Sequence, residues 1–544
     1  MIRFTTDSQV NRKLEALAWL TGIPVLGWFI GNWLLQGDLR AQGADALLLA
    51  GVVLALVILS RWRLGLYLFL VWIVFEDFAR KYLGNGIYTF FGKDILLAVV
   101  YIAFFFRRGP RAEKLFRPRF WLPLVAFLVW ATMEAFNFRT PSPIYGLLGL
   151  KLDFYYVPLM FIGYALVRTE FELRRFLLVN MLVAGLVSLL GIIQAIFGQQ
   201  LLNPEVLDEN LRDLGDLNRV SPITGLVFNR PTSVFVSDGR FSAYLILMFI
   251  LGFGAIGYLI QKKWVWSKAI YLCFGLVFTA ILLTGVRTAL LFGAFSIVAI
   301  LAAMYWGQRP NREQVRRIYK TLRNLALLGA AGTLCLITFF PSALASRWAF
   351  YTETLSLHGR GSELQARAWD YPATELVRVF SMPEALLGRG LGTASLGTQY
   401  LIRFLHVPPA GVNVENGYGQ ILLEIGLPGF IIWLIFSSAV VLASWSVVKR
   451  LRNTPLLSLG FAIMWYAIVV MFPLTYVGLS TYQDYIVTAF LWMLIGVLFR
   501  LPQLLIPSAQ SWVATQKSSS RASTNDQTLF PAYKPLPQPP PKSG

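Results

Sequence analysis

Apolar runs long enough to cross a bilayer follow one another along most of the chain, separated by short charged stretches and two long polar ones. A hydrocarbon core about 30 Å thick needs roughly 20 apolar residues in a helix. Runs near that length fall at 14–35, 44–60, 64–79, 92–106, 119–136, 149–167, 175–198, 241–260, 268–285, 287–306, 324–341, 419–446, 456–478 and 485–500. The pattern predicts an all-α fold, a polytopic transmembrane helical bundle of about 12–14 spans. The polar stretches 199–240 and 342–418 interrupt it. Loops between packed spans are short, so a segment as long as 342–418 is a place to look for function. A membrane domain over 1–507, including both polar stretches, is expected to precede a tail over 508–544. That tail is rich in Ser, Gln and Pro, a composition that cannot bury a core and predicts disorder.

Charge fixes the expected orientation. Of the 48 Lys and Arg residues, 31 fall in the terminal and inter-span segments on one side of the alternating pattern. By the positive-inside rule that side is cytoplasmic. Both termini are then cytoplasmic, and 199–240 and 342–418 are extracytoplasmic loops. Only 14% of residues are charged, against about 25% in soluble proteins, and 56% are hydrophobic. The net charge of +20 sits at span ends and not on one basic face, so nucleic acid is not an expected partner. Cys273 and Cys335 lie inside apolar runs and read as small hydrophobes. The first run lacks a small-residue cleavage site, so no signal peptide is expected. No internal repeat is visible, which argues against an inverted-repeat transporter.

Ionisable residues within spans are costly and are functional candidates. Glu76, Asp77, Lys93, Asp94, Glu134, Lys151, Asp153 and Glu424 all fall near the expected outer ends of their spans. They predict a polar cavity opening to that face, although charges at span ends also serve as interface anchors.

Arg287, in Thr284-Gly285-Val286-Arg287-Thr288, sits between two apolar runs with almost no loop to spare. A guanidinium held there suits either a lipid diphosphate, gripped bidentately, or a helix-end anchor. Arg230 and Arg240 bracket a short segment before the next span, and Arg347, Arg360, Arg367, Arg378, Arg389 and Arg403 lie in the long loop. Most of these six are expected to be solvated or paired with Glu353, Glu363, Asp370, Glu375 and Glu384. Arg367, two residues before Trp369, combines a cation with an aromatic platform for a sugar. Gly388-Arg389-Gly390-Leu391-Gly392 lacks the Lys-Ser/Thr ending of a P-loop and predicts a tight turn that lets backbone approach substrate. No Asp-x-Asp pair or His/carboxylate cluster with metal spacing is present, so neither a metal nor another cofactor is expected.

At these residues the chain resembles the O-antigen ligase and polymerase superfamily of bacterial membrane proteins. The features occur in order: Asn229-Arg230-Pro231 before a span, Gly285-x-Arg287-Thr288, Arg367-x-Trp369 followed by the glycine turn, and Asn416-x-Tyr418 running into Leu-x-Glu-x-Gly-Leu-x-Gly up to Gly429. The likeness covers about residues 175–500. It implies a glycosyltransferase of the cytoplasmic (inner) membrane whose donor is an oligosaccharide on undecaprenyl diphosphate. The acceptor is another glycan, and membrane lipid and polysaccharide-assembly proteins are the other implied partners. Arg287, Arg230 and Arg367 would bind the diphosphate, and Trp369, Asn416 and Tyr418 the acceptor or its sugars. Many members carry His-Asn where this chain has Glu415-Asn416, so Glu415 or His406 is the expected proton acceptor. This departure favours a polymerase that builds surface polysaccharide, O-antigen or exopolysaccharide, from lipid-linked repeat units. A ligase that moves the polysaccharide to a lipid core is the alternative. A carrier of small anions such as bicarbonate, or of lipid-linked sugars, is the second alternative.

Overall fold

The computed structural model describes residues 51, 53–83, 87–106, 116–204, 217–262, 264, 267–307, 338–356, 364–395, 397–410, 414, 416–472 and 482–505, with scattered positions between 316 and 334. The expected span at 14–35, residues 44–50 and 52 of that at 44–60, most of that at 324–341, and the tail 508–544 lie outside the described residues.

Within them the chain is an all-α polytopic bundle. The helices are α1 (Trp62–Leu83), α2 (Ile87–Phe106), α3 (Trp121–Ala135), α4 (Pro143–Phe154), α5 (Leu159–Leu166) and α6 (Glu170–Phe197). After a hairpin of β1 (Asn218–Val220) and β2 (Val227–Asn229) come α7 (Asp238–Gln261), α8 (Ser267–Leu283) and α9 (Arg287–Gly307). The long polar stretch holds α10 (Pro341–Thr354), α11 (Tyr371–Phe380), α12 (Glu384–Leu387) and α13 (Thr398–Leu405). Finally come α14 (Gly417–Arg450), α15 (Leu457–Met471) and α16 (Tyr485–Arg500). Six segments are long and apolar enough to cross a membrane: Pro143–Leu166, Glu170–Phe197, Asp238–Gln261, Arg287–Gly307, Gly417–Arg450 and Tyr485–Leu505. Three shorter apolar helices, α3, α8 and α15, accompany them.

Local chemistry sets the helix starts. The Thr169 hydroxyl accepts from the Glu172 N–H, and the Glu172 carboxylate accepts from the Thr169 N–H, so a capping box opens α6. Ser142, Ser237, Asn416 and Asp484 cap α4, α7, α14 and α16 with side-chain oxygens. Pro158 cannot donate to the helix, and the single run expected at 149–167 is divided into α4 and α5 at this point. In α14 the backbone turns at Gly426 (φ 67°), two residues before Pro428.

Burial separates central from peripheral helices. Of the apolar window of each span, 89% is buried in α16 and 83% in α7, but only 33% in α9. Helices α7 and α16 are therefore enclosed by protein, whereas α9 presents most of its surface outward. Small residues allow the closest crossings. A Cβ at Gly163 on α5 would strike the Met493 backbone of α16, and one at Gly496 would strike the Met160 backbone. Ser458 on α15 donates to the Gly254 carbonyl of α7 at 3.0 Å.

Candidate functional site

Two ionic assemblies lie at one end of the bundle. The first is a knot built on paired charges. Buried Asp77 on α1 accepts from Arg80 (3.0 Å), from Arg240 on α7 (2.7 Å) and from the Tyr485 hydroxyl (3.2 Å). Arg240 also donates through Nε to Asp484 at 2.7 Å. The Arg240 guanidinium and the Lys93 ammonium lie 4.8 and 4.7 Å from the Tyr485 ring centroid. Lys93 pairs with Glu76 at 2.9 Å, and Lys151 pairs with Asp94 at 2.5 Å. Lys81 donates to the Ser233 carbonyl at 2.8 Å, while Gln194 Oε1 accepts from the backbone N–H groups of Thr232 and Ser233. The knot thereby fixes the segment between Arg230 and Arg240. Of the charges expected to share one depth, Glu76, Asp77, Lys93, Asp94 and Lys151 gather in linked pairs, whereas Glu134, Asp153 and Glu424 are in no ion pair among the described residues. Helix α6 begins at the other end of the bundle with Glu170 and Glu172 in pairs of their own.

The second assembly is an arginine cluster. The β1–β2 hairpin pairs Asn218 with Asn229 and Arg219 with Phe228. Its loop is held by Glu353 of α10, whose carboxylate accepts from the Ser221 hydroxyl (2.7 Å) and the Ile223 N–H (2.7 Å). Burial favours the neutral acid here, but these donors outweigh it and hold the Glu353 carboxyl below its ordinary value. Arg347, six residues earlier on α10 and buried, donates to three carbonyls: Leu283 (2.7 Å), Asn229 (2.8 Å) and Ala195 (3.3 Å). Burial pushes its guanidinium down to about 10, which leaves it charged at neutral pH. Its planar group lies 5.4 Å from the Phe228 ring, and Phe228 packs edge-on against Phe350 at 5.2 Å. Arg287, the first residue of α9, lies 5.2 Å from the Phe350 ring. The preceding Gly285 (φ 70°) has no room for a side chain, because Phe228 fills the space.

Arg230 completes the group. It pairs with Asp238 at 2.8 Å, and its Nε is buried without a hydrogen-bond partner among the described residues. Burial, and then the neighbouring charges of Arg219 and Arg287, hold this guanidinium below the usual arginine range against the pull of Asp238. Four arginines thus share the corner with two carboxylates, Asp238 and Glu353, and Glu353 is already engaged by the hairpin. Such a corner is suited to an anion with several oxygens. The hairpin also leaves Val220, Ile223, Leu226 and Val227 exposed beside it.

The expected site residues are therefore only partly brought together. Arg230 and Arg287 meet. The side chain of Arg367 lies outside the described residues, as do Glu415, His358 and Arg360; its backbone runs through one π-helical turn, Ala366–Asp370. Trp369 on that turn is exposed. His406 ends α13 in a left-handed conformation (φ 50°), and its exposed imidazole makes no hydrogen bond among the described residues. Asn416 is buried: its oxygen accepts from the Tyr418 and Gly419 N–H groups and its amide donates to the Pro372 carbonyl, so its polar atoms serve the helix start. Tyr418 packs edge-on against Phe430 at 5.9 Å.

Two further expectations meet specific contacts in the fold. Arg347 is buried and donates to backbone carbonyls, while the Glu353 carboxylate is taken by the Ser221 hydroxyl and the hairpin N–H groups; Arg378 does pair with Glu375, at 2.7 Å. The glycine turn brings backbone close to protein: Gly388 abuts the Glu424 carbonyl, Gly390 abuts Thr140, and Gly392 abuts Tyr145. Arg219, Asp484 and Gln194 were not singled out from sequence. Arg219 stands on a strand of three residues, and Gln194 lies in an apolar run, so no local pattern marks either. Among the described residues no three His, Cys, Asp or Glu side chains gather as a metal site. No protein-family model, curated protein or solved structure matches this chain.

Proposed function

We propose that this protein is a membrane glycosyltransferase that polymerises undecaprenyl-diphosphate-linked oligosaccharide repeat units into a surface polysaccharide. The observation that carries the proposal is the meeting of Arg219, Arg230 and Arg287 in a corner where cationic charge exceeds carboxylate charge. A diphosphate brings several anionic oxygens, and guanidinium groups match them bidentately. The exposed aliphatic residues of the adjacent hairpin suit the polyprenyl side of such a donor. The resemblance to the O-antigen ligase and polymerase superfamily supports the same assignment.

The chemistry is an inverting transfer on the extracytoplasmic side of the bacterial inner membrane. The acceptor hydroxyl oxygen attacks the anomeric carbon of the donor sugar. The bond from that carbon to the diphosphate oxygen breaks, and undecaprenyl diphosphate leaves with the electron pair. Arg230 and Arg287 stabilise the charge that develops on this oxygen. The hydroxyl proton passes to Glu415 or His406, both on the segment leading into α14. Trp369 offers a sugar an exposed aromatic face.

The deciding experiment adds lipid-linked repeat units to the purified protein in liposomes. A ladder of chain lengths is expected, abolished by Arg287→Ala. Transfer of one unit to a lipid core would assign a ligase. Solute uptake that survives Arg287→Ala, with no transfer, would assign a carrier. No transfer from folded protein overturns the proposal.

A further inference from the structure

A second polar site lies apart from the arginine cluster, where the glycine turn docks on the membrane helices. Asp153 of α4 and Glu424 of α14 are both buried, and both line a small cavity with Phe127, Leu391, Ile421, Ile425 and Trp433. The cavity volume is about 10 Å³, room for about one water molecule. The two carboxylates are electrostatic neighbours, and among the described residues neither is in an ion pair.

The nearby charges are engaged elsewhere. Lys151, two residues before Asp153, binds Asp94 of α2. Glu134 of α3 accepts from Asn137, Asp484 holds Arg240, and Arg389 of the glycine turn reaches the site through its N–H, donated to the Leu423 carbonyl at 2.8 Å. The remaining titratable group at the site is Tyr482, whose hydroxyl donates to the Asp153 carbonyl at 2.9 Å.

The donors are unevenly placed. Glu424 Oε1 accepts from the Ala394 N–H (2.9 Å) and the Ser395 hydroxyl (2.8 Å), both on the long polar stretch. The Gly392 N–H is a third donor to Glu424, whereas Asp153 receives one side-chain donor, the Gln483 amide, which also donates to the Ser395 hydroxyl at 2.8 Å. Asp153 Oδ1 and the Trp433 Nε1–H are both buried without a hydrogen-bond partner among the described residues. Two carboxylates in one low-dielectric site cannot both be ionised without a compensating charge. A cation would be repelled by the indole N–H that belongs to the same cavity wall. A water there would accept from Trp433 and donate to carboxyl oxygens, which would satisfy both orphaned atoms.

We propose that Asp153 and Glu424 form a proton-binding site holding one proton and one water, with the proton on Asp153 and the negative charge on Glu424. The charge belongs on Glu424 because three donors of the polar stretch already stabilise it there. The site thereby latches residues 388–395 to α14, where the Gly390 N–H also donates to the Glu424 carbonyl at 3.0 Å. It stands whether or not the protein is a glycosyltransferase.

Infrared spectroscopy of the full-length protein in detergent tests this through the C=O stretch of a protonated carboxyl group. At neutral pH the band is expected to be present, to shift in D₂O and to be lost in Asp153→Asn. Glu424→Gln is expected to change its frequency without removing it, which keeps the test decisive if Asp153→Asn does not fold. Exchanging choline chloride for sodium chloride is expected to leave the band unchanged. Absence of the band at neutral pH, a band identical in both variants, or its removal by sodium would overturn the proposal. The last result would make the site a cation site.

Discussion

The Asp77–Arg240 knot and the Arg230–Arg287 cluster are built from the same kinds of residue at the same end of the bundle, yet they differ in charge balance. In the knot two arginines, Arg80 and Arg240, meet two carboxylates, Asp77 and Asp484. Each charge there has a partner fixed by the fold. In the cluster four arginines meet two carboxylates, and carbonyls and aromatic rings take up much of the remainder. A closed set of pairs fastens helices together, while an excess of one sign leaves electrostatic work for a ligand. A count of arginines alone could not separate these roles, because Arg240 and Arg230 flank the same short segment.

The largest effect should come from the knot. Asp77→Ala leaves Arg80 and Arg240 without their shared carboxylate, and breaking a buried pair this way costs about 3–5 kcal/mol. A large fall in melting temperature in detergent is expected, and the double variant Asp77→Leu/Arg240→Met should lose less than the single one. A stable Asp77→Ala protein would show that the knot does not hold α1 to α7.

Next is Arg347→Met. It keeps the volume but abandons three carbonyls, with an expected loss of about 3 kcal/mol, since hydrogen bonds to charged groups are the stronger ones. Thermal unfolding measures it, and a change below experimental error would place Arg347 outside the supporting framework.

Arg287→Ala and Arg230→Ala reverse the ordering of readouts. Folding should hold, while affinity for a soluble prenyl diphosphate should fall roughly thirtyfold, about 2 kcal/mol. Titration calorimetry with farnesyl diphosphate checks this, and equal binding by the variants would remove the diphosphate role.

The smallest effect concerns Glu353. Its carboxyl is held below the ordinary value, so its contribution is full above that value and disappears as pH falls through the lower folded value. Hydrogen exchange at Ile223 and Thr224 should therefore accelerate only under acid conditions in the parent protein, and at all pH values in Glu353→Gln. Unchanged exchange would show that the hairpin stands without the clasp.

Much of the bundle was legible in the sequence. The runs at 241–260, 287–306 and 485–500 correspond to Asp238–Gln261, Arg287–Gly307 and Tyr485–Arg500, because a bilayer demands an unbroken apolar length that only a helix can satisfy. The break before Leu159 and the bend in α14 were less legible, since Pro158 and Pro428 sit inside runs whose hydropathy does not change. In the candidate site Arg287 and Arg230 stood out through their neighbours in sequence. Arg219 did not, because it is aligned only by pairing with Phe228 across the hairpin.

The sequence by itself determined the class of protein and marked its intramembrane charges as candidates: apolar length sets the spans, and the cost of burying charge makes Asp77, Glu76, Lys93 and Asp94 stand out within them. Tertiary structure alone decided which of those charges neutralise one another. Coulomb energy depends on separation and burial, and residues as distant along the chain as Asp77, Arg240 and Asp484 acquire both only when the helices pack.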